Sequence, residues 1–236
     1  MESDVPWRIY NTDWHNVIEE VIDESDSPVI VTDPPFNIGY GYDKYHDRMS
    51  EDDYYKDLAA LTDYAPVVMI HYPEALHRMS IEIGKQPTRV FSWVYNSNTK
   101  RQHRDVAFWN ITPDPELVKR PYYSMGDKRC REMLAKTGGA RSYDWGYADQ
   151  VKNCSKEKTE HPCQMPINVM RWVVGVLPKS ATIIDPYMGS GTTGVACVMD
   201  EHQFAGIELS ERYFNIAKER LENAQKGEPY MQGKLF

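Results

Sequence analysis

Apolar residues in this chain gather in short unbroken runs rather than alternating with polar ones. PVIVT (28–32), PVVMIHY (66–72) and ATIID (181–185) are continuous and rich in β-branched side chains. Runs of this kind predict strands buried on both faces, as in a parallel sheet. Elsewhere the period is helical: Ile167, Met170, Val174 and Leu177 mark one face of a helix over 164–177, and 210–225 reads as an amphipathic helix. Strands are also expected at 7–11, 88–96, 105–111 and 203–209, with the polar turn SNTKRQHR between the second and third. Helices are expected at 13–24, capped by Asp13 or Thr12, from Ser50 with Asp53 three residues on, at 73–83, and from GTTGVACVMD. Alternating strands and helices predict an α/β fold with a mostly parallel central sheet and helices on both faces. Residues 37–48 read as a Gly- and Tyr-rich loop. Residues 112–160 show no clear period, and 112–150 is expected to be a small insertion in one domain spanning 1–236.

Composition is that of an ordinary globular chain, which argues against disordered and fibrous classes. The longest apolar stretch, 169–177, is broken by Arg171, so no membrane span is expected, and the acidic start MESDVPW does not read as a signal peptide. Cys130, Cys154, Cys163 and Cys197 fit neither a disulfide framework nor a zinc pattern. Free thiols in a reducing cytoplasm, and no metal, are the expectation. The net charge of −8 is unevenly spread. Up to Asp63 there are sixteen acids and four bases, whereas Arg89 to Arg141 carries eleven bases and five acids. A basic strip within an acidic protein is either a solvated face or a phosphate-contacting surface.

Two stretches carry chemistry. In VIVTDPPFNIGY a buried strand ends on Asp33-Pro34-Pro35-Phe36. Two prolines fix the backbone and remove two donors, giving a rigid corner that holds one carboxylate and one ring. In DPYMGSGTTG the spacing Gly189-x-Gly191-x-x-Gly194 sits between a strand and a helix, with Glu208 close to where a ribose-binding acid belongs. A dinucleotide site is the first reading. Against it, only 42 residues follow Gly194, too few for a second mononucleotide half, and Asp185 would face a pyrophosphate. A cationic adenosyl ligand without phosphate suits the turn better. S-adenosylmethionine is such a ligand, with its ammonium paired to Asp185 and its ribose to Glu208.

Together these stretches resemble the amino-methyltransferases that modify exocyclic nitrogens of DNA bases, in the β class, where the catalytic motif precedes the cofactor motif. TDPPFNIGY (32–40) resembles the catalytic motif, and HPCQMP (161–166) resembles the family's His-Pro-x-Gln-Lys-Pro element. IIDPYMGSGTTGVAC (183–197) with GIELSERYFNIAKERL (206–221) resembles the glycine motif and the acidic strand after it. The likeness is near-complete over 161–221, good over 7–58, general over 59–111 and absent over 112–150. Phe36 stands where tyrosine is commonest, and Met165 where lysine is usual.

The resemblance implies a Rossmann-like methyltransferase fold with circularly permuted motifs, S-adenosylmethionine as cofactor and double-stranded DNA as substrate. It implies Asp33 and the Pro34 carbonyl as acceptors of the amine hydrogens, Pro35 as part of the rigid corner, and Phe36 stacked on a flipped base. Cofactor contacts fall on Asp13, Gln164, Asp185, Pro186, Tyr187, Gly189, Gly191, Thr192 and Glu208. His161 reads rather as a packed histidine. Lys100, Arg101, Arg104, Lys119 and Arg120 are the candidates for phosphate contact, and Tyr40 for stacking. The aspartate form of the motif is associated with adenine N6, and the serine form with cytosine N4. A cytosine enzyme, an RNA substrate and a non-catalytic binding module are the competing readings. A homodimer, a bacterial or phage-infected cytoplasm and a restriction-modification setting with a separate nuclease complete the expectations.

Overall fold

The strand order of the main sheet joins two stretches of chain about 150 residues apart. In the computed structural model, which describes residues 6–97, 100–122, 124 and 126–227, ten strands form in chain order. They are β1 (Trp7–Tyr10), β2 (Pro28–Thr32), β3 (Val67–His71), β4 (Arg89–Val94), β5 (His103–Trp109), β6 (Lys119–Arg120), β7 (Ala140–Arg141), β8 (Trp145–Tyr147), β9 (Thr182–Asp185) and β10 (Gln203–Ile207). Eight make one sheet in the order β1-β10-β9-β2-β3-β5-β4-β8, and β6 and β7 form a separate pair. From β1 to β3 all neighbours are parallel. β5 is antiparallel to both β3 and β4, and β8 adds parallel to β4.

The described residues also form seven α-helices, of which all but α4 contribute to the cores on the sheet: α1 (Ile18–Asp23), α2 (Glu51–Tyr64), α3 (Pro73–Ile83), α4 (Lys128–Thr137), α5 (Ile167–Gly175), α6 (Thr192–Met199) and α7 (Glu211–Gln225). Val29 and Val31 point into a core with α5, α6 and α7, while Ile30 points into the core with α1, α2 and α3. The same split separates Ile183 from Ile184. Burial on both faces is why these strands read as unbroken apolar runs. Among the described residues no helix is long and apolar enough to cross a membrane.

The fold departs from expectation in three places. The helix expected over 13–24 is a 3-10 turn (Trp14–Asn16) followed by α1, because Asp13 caps the turn through the His15 N–H and Val17 then leaves helical geometry. β5 begins two residues early, at His103. The irregular region contains a helix, α4, between Asp127 as N-cap and the left-handed Gly138. None of its residues is buried, and its apolar positions Cys130, Met133 and Leu134 span barely one turn among five charged residues, too short a stripe to stand out. The same region supplies β8, which exists only by pairing with β4.

Candidate active site

The parallel strands reverse their winding between β2 and β9. From β2 the chain moves to β3, and from β9 it moves the other way to β10. Ligands of open α/β sheets bind at such a switch, beyond the carboxyl ends of the strands. The residues that follow those ends converge here: Thr12 and Asp13 after β1, Asp33 to Phe36 after β2, Tyr72 after β3, Pro186 and Tyr187 after β9, and Glu208 after β10. All line one cavity of about 430 Å³.

Asp33 stands in this cavity with its side chain only 14% exposed. Arg104 Nη1 lies 3.4 and 3.5 Å from its two oxygens. Burial pushes the Asp33 carboxyl up to about 6, opposed by Arg104 and reinforced by Asp185. The Arg104 guanidinium also lies over the Phe36 ring, 4.6 Å from its centroid, and meets Met165 Sδ at 3.6 Å. Arg104 was expected at a phosphate, and its place is a correction. It is held inside because a buried carboxylate needs a cation close by. Met165, the departure from the usual lysine, therefore still lies next to a positive charge, one that comes from β5.

The neighbouring carboxylate is used differently. Asp185 is buried and accepts from Thr32 Oγ1 (3.0 Å), Thr193 Oγ1 (2.5 Å) and the Tyr187 N–H (3.1 Å). Both oxygens are engaged inside the fold, so it does not line the cavity, contrary to its expected pairing with a ligand ammonium. Its role is to tie β9 to β2 and α6. Burial raises its carboxyl to about 6 against those three donors.

Glu208 does face the cavity. Its carboxylate accepts the Gly189 N–H and the Ser210 N–H, each at 2.8 Å, which fixes it beside the glycine turn. Burial raises its pKa while the two N–H groups hold it down. Gly189 has φ +54°, and a Cβ there would meet His161 Nε2 at 3.0 Å. His161 thus packs on the turn and on Tyr213, and it also lines the cavity. Burial, Lys158 and Arg220 lower its pKa to about 4, so it is neutral.

A family model described as DNA methylase, of the N6/N4 methyltransferases, matches residues 70–219. The chain belongs to the N6/N4 DNA methylase family. The methylase is 22% identical over 225 residues to the Type II methyltransferase M.HpaI of Haemophilus parainfluenzae, covering 87% of this chain and 71% of that one. The fold is similar to that of the M1.HpyAVI–SAM complex, with a TM-score of 0.63, 19% identity, and 91% and 98% of the two chains covered. It is also similar to the cytosine-N4-specific PvuII DNA methyltransferase, with a TM-score of 0.59, 13% identity, and 94% and 93% covered. The family makes this an S-adenosylmethionine-dependent DNA methyltransferase.

The residues present fit that cofactor. Asp13, Glu208 and Asp33 line the cavity with Pro186, Tyr187 and Gly189, an acidic surround for a cationic adenosyl ligand. Asp13 is clamped by His15, whose Nδ1 lies 2.5 Å from Asp13 and whose Nε2 lies 2.6 Å from Asp57. Tyr187 donates to Asp57 and accepts from the Trp14 indole. His15 and Asp57 went unremarked in the sequence, since nothing local marks a partner 42 residues away.

The other expected residues, Tyr40 excepted, lie outside the cavity. Gln164 is buried, and both ends of its amide serve its own loop: Oε1 accepts from Thr159 N and Oγ1, and Nε2 donates to Glu157 O. Gly191 and Thr192 build the turn rather than line the cavity. Gly191 sits at φ +76° against Ala217, and Thr192 Oγ1 accepts from Arg220. Tyr40 lines the cavity and is exposed. Lys100 and Arg101 are exposed on the β4–β5 connection, at the carboxyl end of β4 and hence on the cavity side. Arg101 lies over the ring of cavity-lining Tyr72. Lys119 and Arg120 follow Val118, which packs on Gly175 at the carboxyl end of α5. That is the opposite end of the sheet from the cavity.

Proposed function

We propose that this methyltransferase modifies N6 of adenine in double-stranded DNA, acting on a base turned out of the helix. The observation that carries the reading is the cavity-lining corner Asp33-Pro34-Pro35-Phe36 at the switch between β2 and β9, beside the fitted cofactor residues.

An exocyclic amine is a poor nucleophile because its lone pair is delocalised into the ring. In this reading the Asp33 carboxylate and the Pro34 carbonyl accept its two hydrogens and draw the nitrogen toward tetrahedral geometry. Bound S-adenosylmethionine supplies the activated methyl group. Asp13 and Glu208 hold its adenosine portion, and the Gly189 turn allows close backbone approach. Phe36 gives the base an apolar face. Positioning and preset acceptors provide the rate enhancement. Aspartate rather than serine at position 33 supports adenine over cytosine, by the family association. Lys100 and Arg101 contact phosphates beside the cavity, and within 112–150 the stretch at the carboxyl end of β8, on the cavity side, serves target recognition. The likeness to relatives named Type II methyltransferases supports a restriction-modification setting.

The test is transfer of labelled methyl from S-adenosylmethionine to unmodified duplex DNA, with digestion to nucleosides and Asp33→Ala in parallel. Labelled N6-methyladenine that disappears in the variant is expected. N4-methylcytosine would overturn the base assignment and keep the mechanism.

A further inference from the structure

The backbone of the corner is held from behind by two buried side chains outside the motif. Tyr54, on α2, and His71, the last residue of β3, are 2% and 3% exposed. His71 Nδ1 accepts the Tyr72 N–H at 2.7 Å. A neutral imidazole has one proton, so that proton must be on Nε2. Nε2 lies 2.8 Å from Tyr54 Oη and is therefore the donor of that bond. Tyr54 Oη then donates its own proton to the Pro35 carbonyl, 2.6 Å away. The order runs one way, from the Tyr72 amide through His71 and Tyr54 to Pro35.

Burial, with Arg104 and Arg101 nearby, lowers the His71 pKa to about 3, so the relay keeps its polarity throughout the working pH range. The same ring faces Phe36, with centroids 4.3 Å apart and planes 35° apart. One histidine thus touches the corner twice, once through Tyr54 to the backbone and once directly at the aromatic ring.

The two proline carbonyls differ as a result. Pro35 C=O is engaged by Tyr54. Pro34 C=O accepts no hydrogen bond among the described residues, and Pro34 lines the cavity. We propose that Tyr54 and His71 are positioning residues of the methyltransferase: their relay fixes the Pro35 peptide and the Phe36 ring, and so leaves Pro34 as the backbone acceptor presented to the target amine. The proposal rests on the reading of Asp33 and Pro34 as amine acceptors given above. A buried tyrosine hydroxyl must find some acceptor in any fold. What sets this one apart is that its acceptor is a catalytic-corner carbonyl and that the donor behind it also packs on Phe36.

The experiment compares wild type, Tyr54→Phe, His71→Leu and His71→Gln, with Leu58→Ala as a core change on the same helix. Methyl transfer is followed at saturating DNA and cofactor, cofactor affinity by calorimetry, and folded fraction by circular dichroism. Tyr54→Phe keeps the ring and removes only the hydroxyl. Its kcat is expected to fall, by up to about 100-fold for a misplacement near 1 Å, with cofactor affinity within about twofold. His71→Leu should behave similarly, and His71→Gln, which keeps a donor toward Tyr54, should recover part of the loss. Leu58→Ala should lower the melting temperature and leave kcat unchanged while folded. Full kcat in folded Tyr54→Phe would overturn the proposal, as would a loss matched by Leu58→Ala. An independent readout is the ¹⁵N shift of His71: a neutral Nε2–H tautomer is expected, and an Nδ1–H tautomer would overturn the relay. Undiminished transfer by Asp33→Ala would instead sink the parent reading of Asp33 and Pro34, so the two failures are distinguishable.

Discussion

Arg104 and Asp33 form a buried pair at the centre of the cavity, with Nη1 3.4 Å from Oδ2 and both side chains less than 15% exposed. The guanidinium is planar, donates N–H groups to the carboxylate and lies over the Phe36 ring. Those are the two contacts proposed for the amine and ring of a flipped base. A base that reaches Asp33 must therefore displace or share the position of Arg104.

This pairing sets a pH dependence. The Asp33 pKa is raised to about 6 by burial although Arg104 lowers it, and the ionised carboxylate is the stronger acceptor for the amine hydrogens. Activity is thus retained above the pKa and lost as pH falls through it. Arg104→Met removes the lowering influence and should move the acid limb of kcat/KM to higher pH, about tenfold less activity near the limb for each unit moved. At pH 8.5 the two enzymes should differ least. Parallel pH profiles for wild type and variant would refute the coupling.

The basic strip divides by position. Lys100 and Arg101 are on the cavity side of the sheet, and Lys119 and Arg120 at its other end. Replacing Lys100 and Arg101 together with alanine should weaken duplex binding and reduce the slope of log K against log salt by about 1–2, near 0.9 per lost phosphate contact. The same change at Lys119 and Arg120 should leave the slope unaltered. Fluorescence anisotropy titrations from 50 to 250 mM salt would decide, and an equal effect of both pairs would count against the assignment.

A third expectation concerns stability. A Cβ at Gly194 would come within 2.5 Å of Phe204 Cε1 and 2.8 Å of Leu221 Cδ2. Alanine in a helix gains about 1 kcal/mol over glycine, but overpacking a tight core costs roughly 1–3 kcal/mol. Gly194→Ala should therefore lower the melting temperature by a few degrees, about 2–4 °C per kcal/mol for a chain of this size. An unchanged or higher midpoint by calorimetry would show that α6 can shift away from β10 at little cost.

The sequence by itself determined every strand of the main sheet except β8, most of the helices and the two chemical corners. A strand buried on both faces must be apolar throughout, so β2, β3 and β9 are visible as runs. A backbone that has to turn sharply at a strand end takes proline or glycine, so Asp33-Pro34-Pro35-Phe36 and Gly189 to Gly194 are visible as motifs. Only the tertiary structure decided how Asp185, Gln164 and Arg104 are used. Each is a polar side chain whose role depends on which donor or acceptor lies beside it, and those partners come from distant parts of the chain. Thr32 reaches Asp185 across 153 residues and Arg104 reaches Asp33 across 71, contacts that no local spacing encodes. α4 and β8 were hidden for a related reason. α4 buries no side chain and has only Cys130, Met133 and Leu134 as a one-turn apolar stripe, and β8 is defined by its pairing to β4, so neither leaves a pattern long enough to read.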